Sequence, residues 1–403
     1  MSIRPKILFA LRALSVAVSI GALSAPVPAA AERLAIVHGP YLQNPSPTSM
    51  TIVWFTSRPC ASWIEYGTGE SRGTFPEFGS LISSAKSSLH GLFAANGTRH
   101  TVTIDGLKPG QSYPYRVIAR EILKFEPYEV VYGESVAGSM LEFRTLDPRK
   151  AAFQFDVFQD IHTDPLRLNA LLQVPGGELS ELRIFNGDTV SDLSREASIF
   201  DGFLDTAVSR FASRTPFIYI RGNHDTRGLL ARSLGDYFPP REGRFYYAFD
   251  HGPVHFIVLD SGEDKPDDSP VYAGLADFDR YRLREAEWLK AEVRSDAFVN
   301  AGFRVVLVHM PPFGTGFTPE SLGKVWGPIL NGAGIDVVLS GHYHRLIKIL
   351  PAEGRNSFPV LCAPQNSLVR AEVRPETIGL KVIDVQGSVL ETLILPARRQ
   401  SGK

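Results

Sequence analysis

Five short blocks in the second half of the chain carry the residue types that bind metal ions. They are Asp160-Ile161-His162, Gly187-Asp188, Gly222-Asn223-His224-Asp225, Val308-His309 and Gly341-His342-Tyr343-His344. Together they offer three carboxylates, one amide oxygen and five imidazoles. That donor set suits two divalent cations held a few ångströms apart. Paired cations of this kind activate water and hold a phosphoryl group from both sides.

The blocks must be positioned by rigid elements, and each follows a run that reads as a buried strand. Phe153, Phe155, Val157 and Phe158 precede Asp160; Leu182, Ile184 and Phe185 precede Gly187. Phe217–Ile220 precede Gly222, Val305–Val308 precede His309, and Ile335, Val337, Val338 and Leu339 precede Gly341. Short β-branched and aromatic runs bounded by Gly, Asn or Pro are the pattern of core strands. Polar groups just past the carboxyl ends of such strands lie where α/β sheets bind ligands. Helical patterns at Leu166–Val174, Ala197–Ala212 and Asp279–Val293 alternate with the strands, and mostly strands follow Gly341, at 346–350, 360–362, 368–373, 379–385 and 389–395.

In order and spacing, the five blocks resemble the calcineurin-like metallophosphoesterase superfamily, which includes the purple acid phosphatases. The family pattern runs D-x-H or D-x-G, G-D-x-x, G-N-H-[DE], a His after a strand, then G-H-x-H. Here the first block begins Gln159-Asp160 where the family usually has Gly-Asp. The resemblance implies an α/β domain of two packed β-sheets flanked by helices, over 150–397. It implies Asp160, His162 and His344 as ligands of one metal, Asn223, His309 and His342 as ligands of a second, and Asp188 as the bridge. It implies two divalent ions, Fe, Mn or Zn, and a small-molecule phosphate ester attacked by a hydroxide held between them. His224 is then the general acid or hydrogen-bond donor at the leaving-group oxygen, and Asp225 is placed to orient that imidazole. Arg227, three residues further on, is a candidate phosphate clamp; a surface Arg capping the next helix is the alternative.

One departure concerns colour. Purple acid phosphatases carry a metal-bound tyrosinate three residues after the second-block Asp, where this chain has Ser191, and His162 stands where they have Gly. The expectation is a first site of neutral imidazoles without the charge-transfer chromophore.

The segment 36–146 has another texture. Met50, Ile52 and Trp54 alternate with Thr51, Val53 and Phe55, and Trp63, Tyr66 and Thr101–Ile104 continue a series of short strands. This reads as an all-β sandwich. Leu107-Lys108-Pro109-Gly110-Gln111-Ser112-Tyr113 resembles a fibronectin type III corner, in which the Tyr hydroxyl returns to nearby backbone and Trp54 is the core Trp. Gly39-Pro40-Tyr41-Leu42-Gln43 resembles the opening of the purple acid phosphatase N-terminal domain. Asn96-Gly97-Thr98 fits a glycosylation sequon, but Asn-Gly is more often a turn. Asp147-Pro148-Arg149-Lys150 reads as a polar hinge between the domains.

At the N-terminus, Arg4, Lys6 and Arg12 precede an apolar run at 13–23, then Pro26, Pro28 and Ala29-Ala30-Ala31. This is the layout of a signal peptide over 1–31, so the expectation is an exported protein, periplasmic or secreted. The apolar run is shorter than the ~20 residues of a membrane span. A formal net charge of −1 over 403 residues gives no footprint of nucleic-acid binding. Cys60 and Cys362 fall in different domains and are read as unpaired buried thiols. His255, in a strand-like run, reads as a satisfied core histidine.

The acidic loop Asp260–Asp268 reads first as a solvated surface loop; the alternative is a flap over the metal rim whose charge disfavours highly anionic substrates. An acid-phosphatase-like monoesterase is the favoured activity. A phosphodiesterase of the same superfamily and a non-catalytic binding module using the β-domain are the alternatives.

Overall fold

The computed structural model describes residues 33–67, 83–313 and 320–398. The expected signal segment 1–31 lies outside the described residues. The N-terminal domain is all β: β1 (Ile36–Gln43), β2 (Ser49–Tyr66), β3 (Ser83–Ala85), β4 (Ser88–Leu89), β5 (Leu92–Phe93), β6 (Gly97–Asp105), β7 (Ser112–Glu126), β8 (Glu129–Ala137) and β9 (Leu141–Arg144). The long strand β2 organises it. Its first half pairs with β1 and β6, its second half with β3 and β7. Its register against β6 breaks between Phe55 and Cys60, around Pro59, which has no N–H to donate. The halves close over Leu42, Met50, Ile52, Trp54, Ile64, Val102, Tyr115 and Phe143. The Tyr113 hydroxyl accepts from Lys108 N at 2.8 Å, as its place after Leu107-Lys108 predicts.

The second domain stacks two six-stranded sheets. One contains β10 (Phe153–Phe158), β11 (Ser180–Asn186), β12 (Phe217–Ile220), β19 (Ser367–Val373), β20 (Thr377–Asp384) and β21 (Val389–Pro396), in the order β12-β11-β10-β19-β20-β21. The other contains β13 (Tyr247–His251), β14 (Val254–Val258), β15 (Phe303–Leu307), β16 (Val337–Ser340), β17 (Ile347–Ile349) and β18 (Val360–Cys362), in the order β13-β14-β15-β16-β18-β17. Strands β10 to β12 run parallel, as do β14 to β16. Side-chain alternation explains the uniformly apolar runs. Phe153, Phe155, Val157, Leu182, Ile184, Val305, Leu307, Val337 and Leu339 fill the space between the sheets. Phe158, Phe185, Phe217 and Tyr219 point outward to one helical layer, and Ile257, Val306 and Val338 to the other.

The outer layers comprise α1 (Pro165–Leu172), a helical segment α2 over 196–212 that winds partly as π-helix, α3 (Phe278–Glu292), α4 (Asp296–Asn300) and α5 (Glu320–Ala333). Asp164 caps α1 by accepting from Arg167 N at 2.9 Å, and Pro165 follows in the first turn. The sequence reading did not find α5. Gly323, Gly327 and Pro328 weaken its local helical signal, and burial of Leu322, Trp326 and Leu330 against Val306 and Val338 sustains it.

The segment joining the domains is pinned, contrary to the expected hinge. Asp147 N donates to His251 Nδ1 at 3.1 Å, and Gly252 N to Asp147 O at 2.9 Å. Cys60 and Cys362 are buried and free, as expected. His255 is buried with its Nδ1 2.7 Å from Asp250 Oδ1, the satisfied core position expected of it. Among the described residues, no helix is long and apolar enough to cross a membrane.

Candidate metal centre

All five blocks meet at one rim, because the strands they follow end there. Asp160 Oδ1 lies 3.3 Å from His344 Nε2 and 3.9 Å from His162 Nε2, and the two imidazole nitrogens are 3.0 Å apart. Asp188 Oδ2 lies 3.8 Å from His162 Nε2 on one side and 3.1 Å from His309 Nε2 on the other. His342 Nδ1 faces Asn223 Oδ1 at 3.1 Å. Two sets of metal-binding atoms result, Asp160, His162, Asp188 and His344, and Asp188, His309 and His342, with Asp188 common to both. Asp160, His162 and His344 thus fall in one set, and His309 and His342 in the other.

These groups fit divalent cations. Atoms ~2.0–2.2 Å from one zinc-like ion stand roughly 3 Å from each other, the spacing found at His162–His344 and Asn223–His342. His309 donates Nδ1–H to the Asn186 carbonyl at 2.9 Å, which directs Nε2, the other ring nitrogen, at Asp188. That Nε2 is buried and has no aligned hydrogen-bond partner despite its 3.1 Å approach to Asp188.

The backbone is bent to serve this rim. Asp160, His162, Thr163, Asp188, His342 and His344 all have φ between 49° and 72°, a region that non-glycine residues rarely enter. Turns this tight bring neighbouring backbone against the ligands, and glycine supplies the room. A Cβ on Gly187 would lie 2.4 Å from the His309 ring, one on Gly222 2.2 Å from Asp188 Oδ1, and one on Gly341 2.7 Å from Asp160 Oδ2. Asp188 Oδ1 accepts from His224 N at 2.8 Å, and Asp160 from His342 N at 3.1 Å. Asn186 Nδ2 donates to Leu339 O at 2.9 Å, tying the sheets together beside the site. Gln159, where the family usually has Gly, is buried and donates to the carbonyls of Pro364 and Ser367.

The electrostatics are those of a cation site held together by protons. Burial lowers His162 and His342 to about 4, so both imidazoles are neutral with free lone pairs. Burial also acts against charge on His309, but the negative Asp188 beside it lifts that group to about 9. Burial would raise the Asp188 carboxyl, and the charge of His309 outweighs it and holds the group low. A cation bound here would require His309 to give up its Nε2 proton.

Three expectations need correction. Asp225 does not touch the His224 imidazole: its carboxylate, fully buried, accepts from Gly222 N at 2.7 Å and Val190 N at 3.3 Å, bracing the turn that carries Asn223. The His224 imidazole is oriented by the Ser191 carbonyl, which accepts from Nδ1–H at 2.7 Å. Arg227 is not a free phosphate clamp, because Nε and Nη2 grip Glu263 at 2.9 Å each and Nη2 reaches Asp264 at 3.0 Å. Its Nη1 lies 3.2 Å from His224 Nε2.

The acidic loop is not solvated at its start. Asp260, Ser261 and Glu263 are buried. Arg221 pairs with Asp260, and Arg282 donates to the carbonyls of Ser261 and Glu263. The charges of Asp260, Glu263 and Asp264 are therefore met by Arg221, Arg227 and Lys265. The loop reaches toward the rim through Arg227, which Glu263 and Asp264 hold against His224. Sequence reasoning missed Glu263, which looks like any other acid in that run, and the Ser191 carbonyl, which no side-chain pattern reveals.

Comparison with known proteins agrees with this geometry. Residues 155–346 match the sequence model of the calcineurin-like phosphoesterase family, and residues 38–131 match that of the purple acid phosphatase N-terminal domain. Purple acid phosphatase 18 of Arabidopsis thaliana is 24% identical over 341 residues, 78% of this chain and 66% of that protein. Purple acid phosphatase 22 of the same plant is 28% identical over 156 residues, 34% of this chain and 32% of its own length. Acid phosphatase type 7 of Mus musculus is 25% identical over 231 residues, 55% of this chain and 47% of that protein. The chain spans from a third to about two thirds of the length of these relatives.

Proposed function

We propose that this chain, which carries a calcineurin-like metallophosphoesterase domain behind a purple acid phosphatase N-terminal domain, is a dinuclear metal-dependent phosphoric ester hydrolase. The observation that carries the reading is the pair of donor sets sharing Asp188 at one rim. When bound, two divalent ions would supply a nucleophilic water at neutral pH and offset charge on the phosphoryl oxygens. Asp160, His162 and His344 would hold one ion, Asn223, His309 and His342 the other, and Asp188 would contribute to both. Iron, manganese and zinc all suit this mixture of imidazole, carboxylate and amide donors.

As the imidazolium, His224 would give its Nε2 proton to the departing alkoxide oxygen and be left neutral. Its Nδ1–H is fixed on the Ser191 carbonyl, so Nε2 is the atom turned to the rim. That nitrogen exchanges its contact with Arg227 Nη1 for one with the ester oxygen, while Glu263 retains Arg227 by its other nitrogens. Monoesters are favoured, since the relatives are acid phosphatases by name. The N-terminal domain is read as fibronectin type III-like on the Tyr113 corner and the buried Trp54. Export is proposed on the basic, apolar and small-residue succession in 4–31.

The test is hydrolysis of aryl and alkyl phosphates by metal-loaded protein with and without chelator, together with His224→Ala. General-acid help contributes about 10²–10⁴-fold and matters little for p-nitrophenolate, which leaves without a proton. His224→Ala should therefore keep its metal and lose far more kcat/KM on alkyl than on nitrophenyl esters. Equal losses at full metal content would leave His224 a phosphate-binding group, and turnover that survives chelation would remove the metal from the mechanism.

A further inference from the structure

A cavity of about 600 Å3 opens beside Arg227, between the turn after Asn223 and the loop that follows β14. Its size lies within the ~300–1,000 Å3 usual for small-ligand clefts. Leu229, Val271, Tyr272, Leu275 and Phe278 form its apolar walls. Leu229, Val271 and Leu275 are 81%, 68% and 73% exposed. Single exposed apolar residues are ordinary, but several gathered on one concave surface mark a ligand groove.

The polar part of the lining holds Glu263 with the cations Arg227, Arg232 and Lys265, and the charge of Glu263 is compensated. Glu263 accepts from Arg227 Nε and Nη2, Thr226 Oγ1, the Tyr272 hydroxyl and Asp264 N. No carboxylate oxygen of Glu263 is left to attract a cation. The same bonds fix the walls: Tyr272 is held by its hydroxyl at 2.7 Å, and Phe278 packs so closely on Gly262 that a Cβ there would lie 2.3 Å from its ring. The cavity is thus built in advance of a ligand. It is joined to the chemistry through Arg227, which lines it and places Nη1 3.2 Å from His224 Nε2.

We propose that this cavity binds the alcohol portion of the ester and selects for leaving groups with an apolar body, aromatic or branched aliphatic. The inference rests on the phosphoesterase reading, in which His224 faces the leaving-group oxygen; an alcohol departing toward His224 enters the cavity that Arg227 connects to it. Val271 and Leu275 are specificity-determining residues and touch no proposed metal ligand.

The test uses Leu275→Asp and Val271→Asp in the full chain, both at exposed positions, with thermal unfolding to confirm that the fold is kept. Two readouts are taken: equilibrium binding of 1-naphthol by calorimetry, and kcat/KM for 1-naphthyl phosphate and glycerol phosphate. Because burial of a methylene or two discriminates by ~10-fold or more, each variant should lose ~10-fold in kcat/KM on 1-naphthyl phosphate, through KM, and stay within about twofold on glycerol phosphate. Naphthol binding by the parent protein should weaken in parallel. Equal effects on the two esters, or no effect on either, would overturn the proposal, as would a parent protein that does not bind naphthol. If neither ester is hydrolysed while naphthol still binds and is lost in the variants, the cavity stands and the hydrolase reading falls.

Discussion

At the scale of single residues, the site is made of strained backbone held by rigid surroundings. Each non-glycine residue in the left-handed region costs about 1–3 kcal/mol unless its setting compensates, and Asp160, His162, Asp188, His342 and His344 all sit there. Asp188 is the most consequential of them, since its carboxylate alone belongs to both donor sets. Asp188→Ala should abolish stoichiometric binding of both ions, whereas His162→Ala should weaken one site and leave the other partly filled. Metal content after equilibrium dialysis checks this; two ions retained by Asp188→Ala at near-native affinity would end its role as the bridge. Ser191 bears on colour. Its hydroxyl donates to the His162 carbonyl at 2.9 Å and its own carbonyl binds His224, so no phenolate stands at that position. The metal-loaded protein should show no intense visible band, and a strong phenolate-to-iron absorption in freshly purified protein would refute that assignment.

At the scale of elements, strands supply position and helices supply cover. The joint of β13, β14 and α3 shows how titration enters stability. His255 on β14 meets Asp250 on β13 at 2.7 Å and approaches Glu292 on α3 at 3.3 Å, the second contact close but not aligned as a hydrogen bond. Burial works against its charge, and the two carboxylates outweigh that and raise it above the ordinary histidine value. A raised folded-state value means that the stabilisation is complete below the unfolded value and is lost as pH rises through the folded one. His255→Gln should therefore cost about 1.5–3 kcal/mol under acidic conditions, the range for hydrogen bonds to charged groups, and less at alkaline pH. Urea unfolding on the two sides of about pH 6.5 measures the difference; a penalty that is constant or grows with pH would show that His255 folds uncharged.

At the scale of the whole molecule, the two domains share a core. Tyr41, Val53 and Phe55 of the N-terminal domain lie in one apolar cluster with Phe158, Phe200 and Tyr237 of the second domain. The buried hydroxyls of Tyr41 and Tyr115 donate to the carbonyls of Tyr237 and Ser213. Unfolding should therefore be a single transition, with fluorescence and far-ultraviolet dichroism sharing one midpoint. Tyr115→Phe leaves the Ser213 carbonyl without its partner and should lower stability by about 1–3 kcal/mol without splitting the transition. Separate midpoints for the two probes would show that the domains fold independently.

The sequence alone determined which side chains can bind metal and where along the chain they fall. Ligand chemistry depends on residue type, and strand ends depend on short apolar runs punctuated by Gly and Asn, so both are local signals. The strands before Asp160, Asp188, Asn223, His309 and His342 were legible for that reason, as were Trp54 and Tyr113 in the β-domain. Only the tertiary structure decided which polar groups meet. Asp225 turned to the backbone of its own loop, Arg227 closed on Glu263, and α5 formed despite two glycines and a proline. Arg227 meets a partner 36 residues away, Asp225 accepts from Val190 N 35 residues away as well as from its neighbour Gly222, and α5 is held by burial against another element; short-range pattern carries no record of these distant contacts.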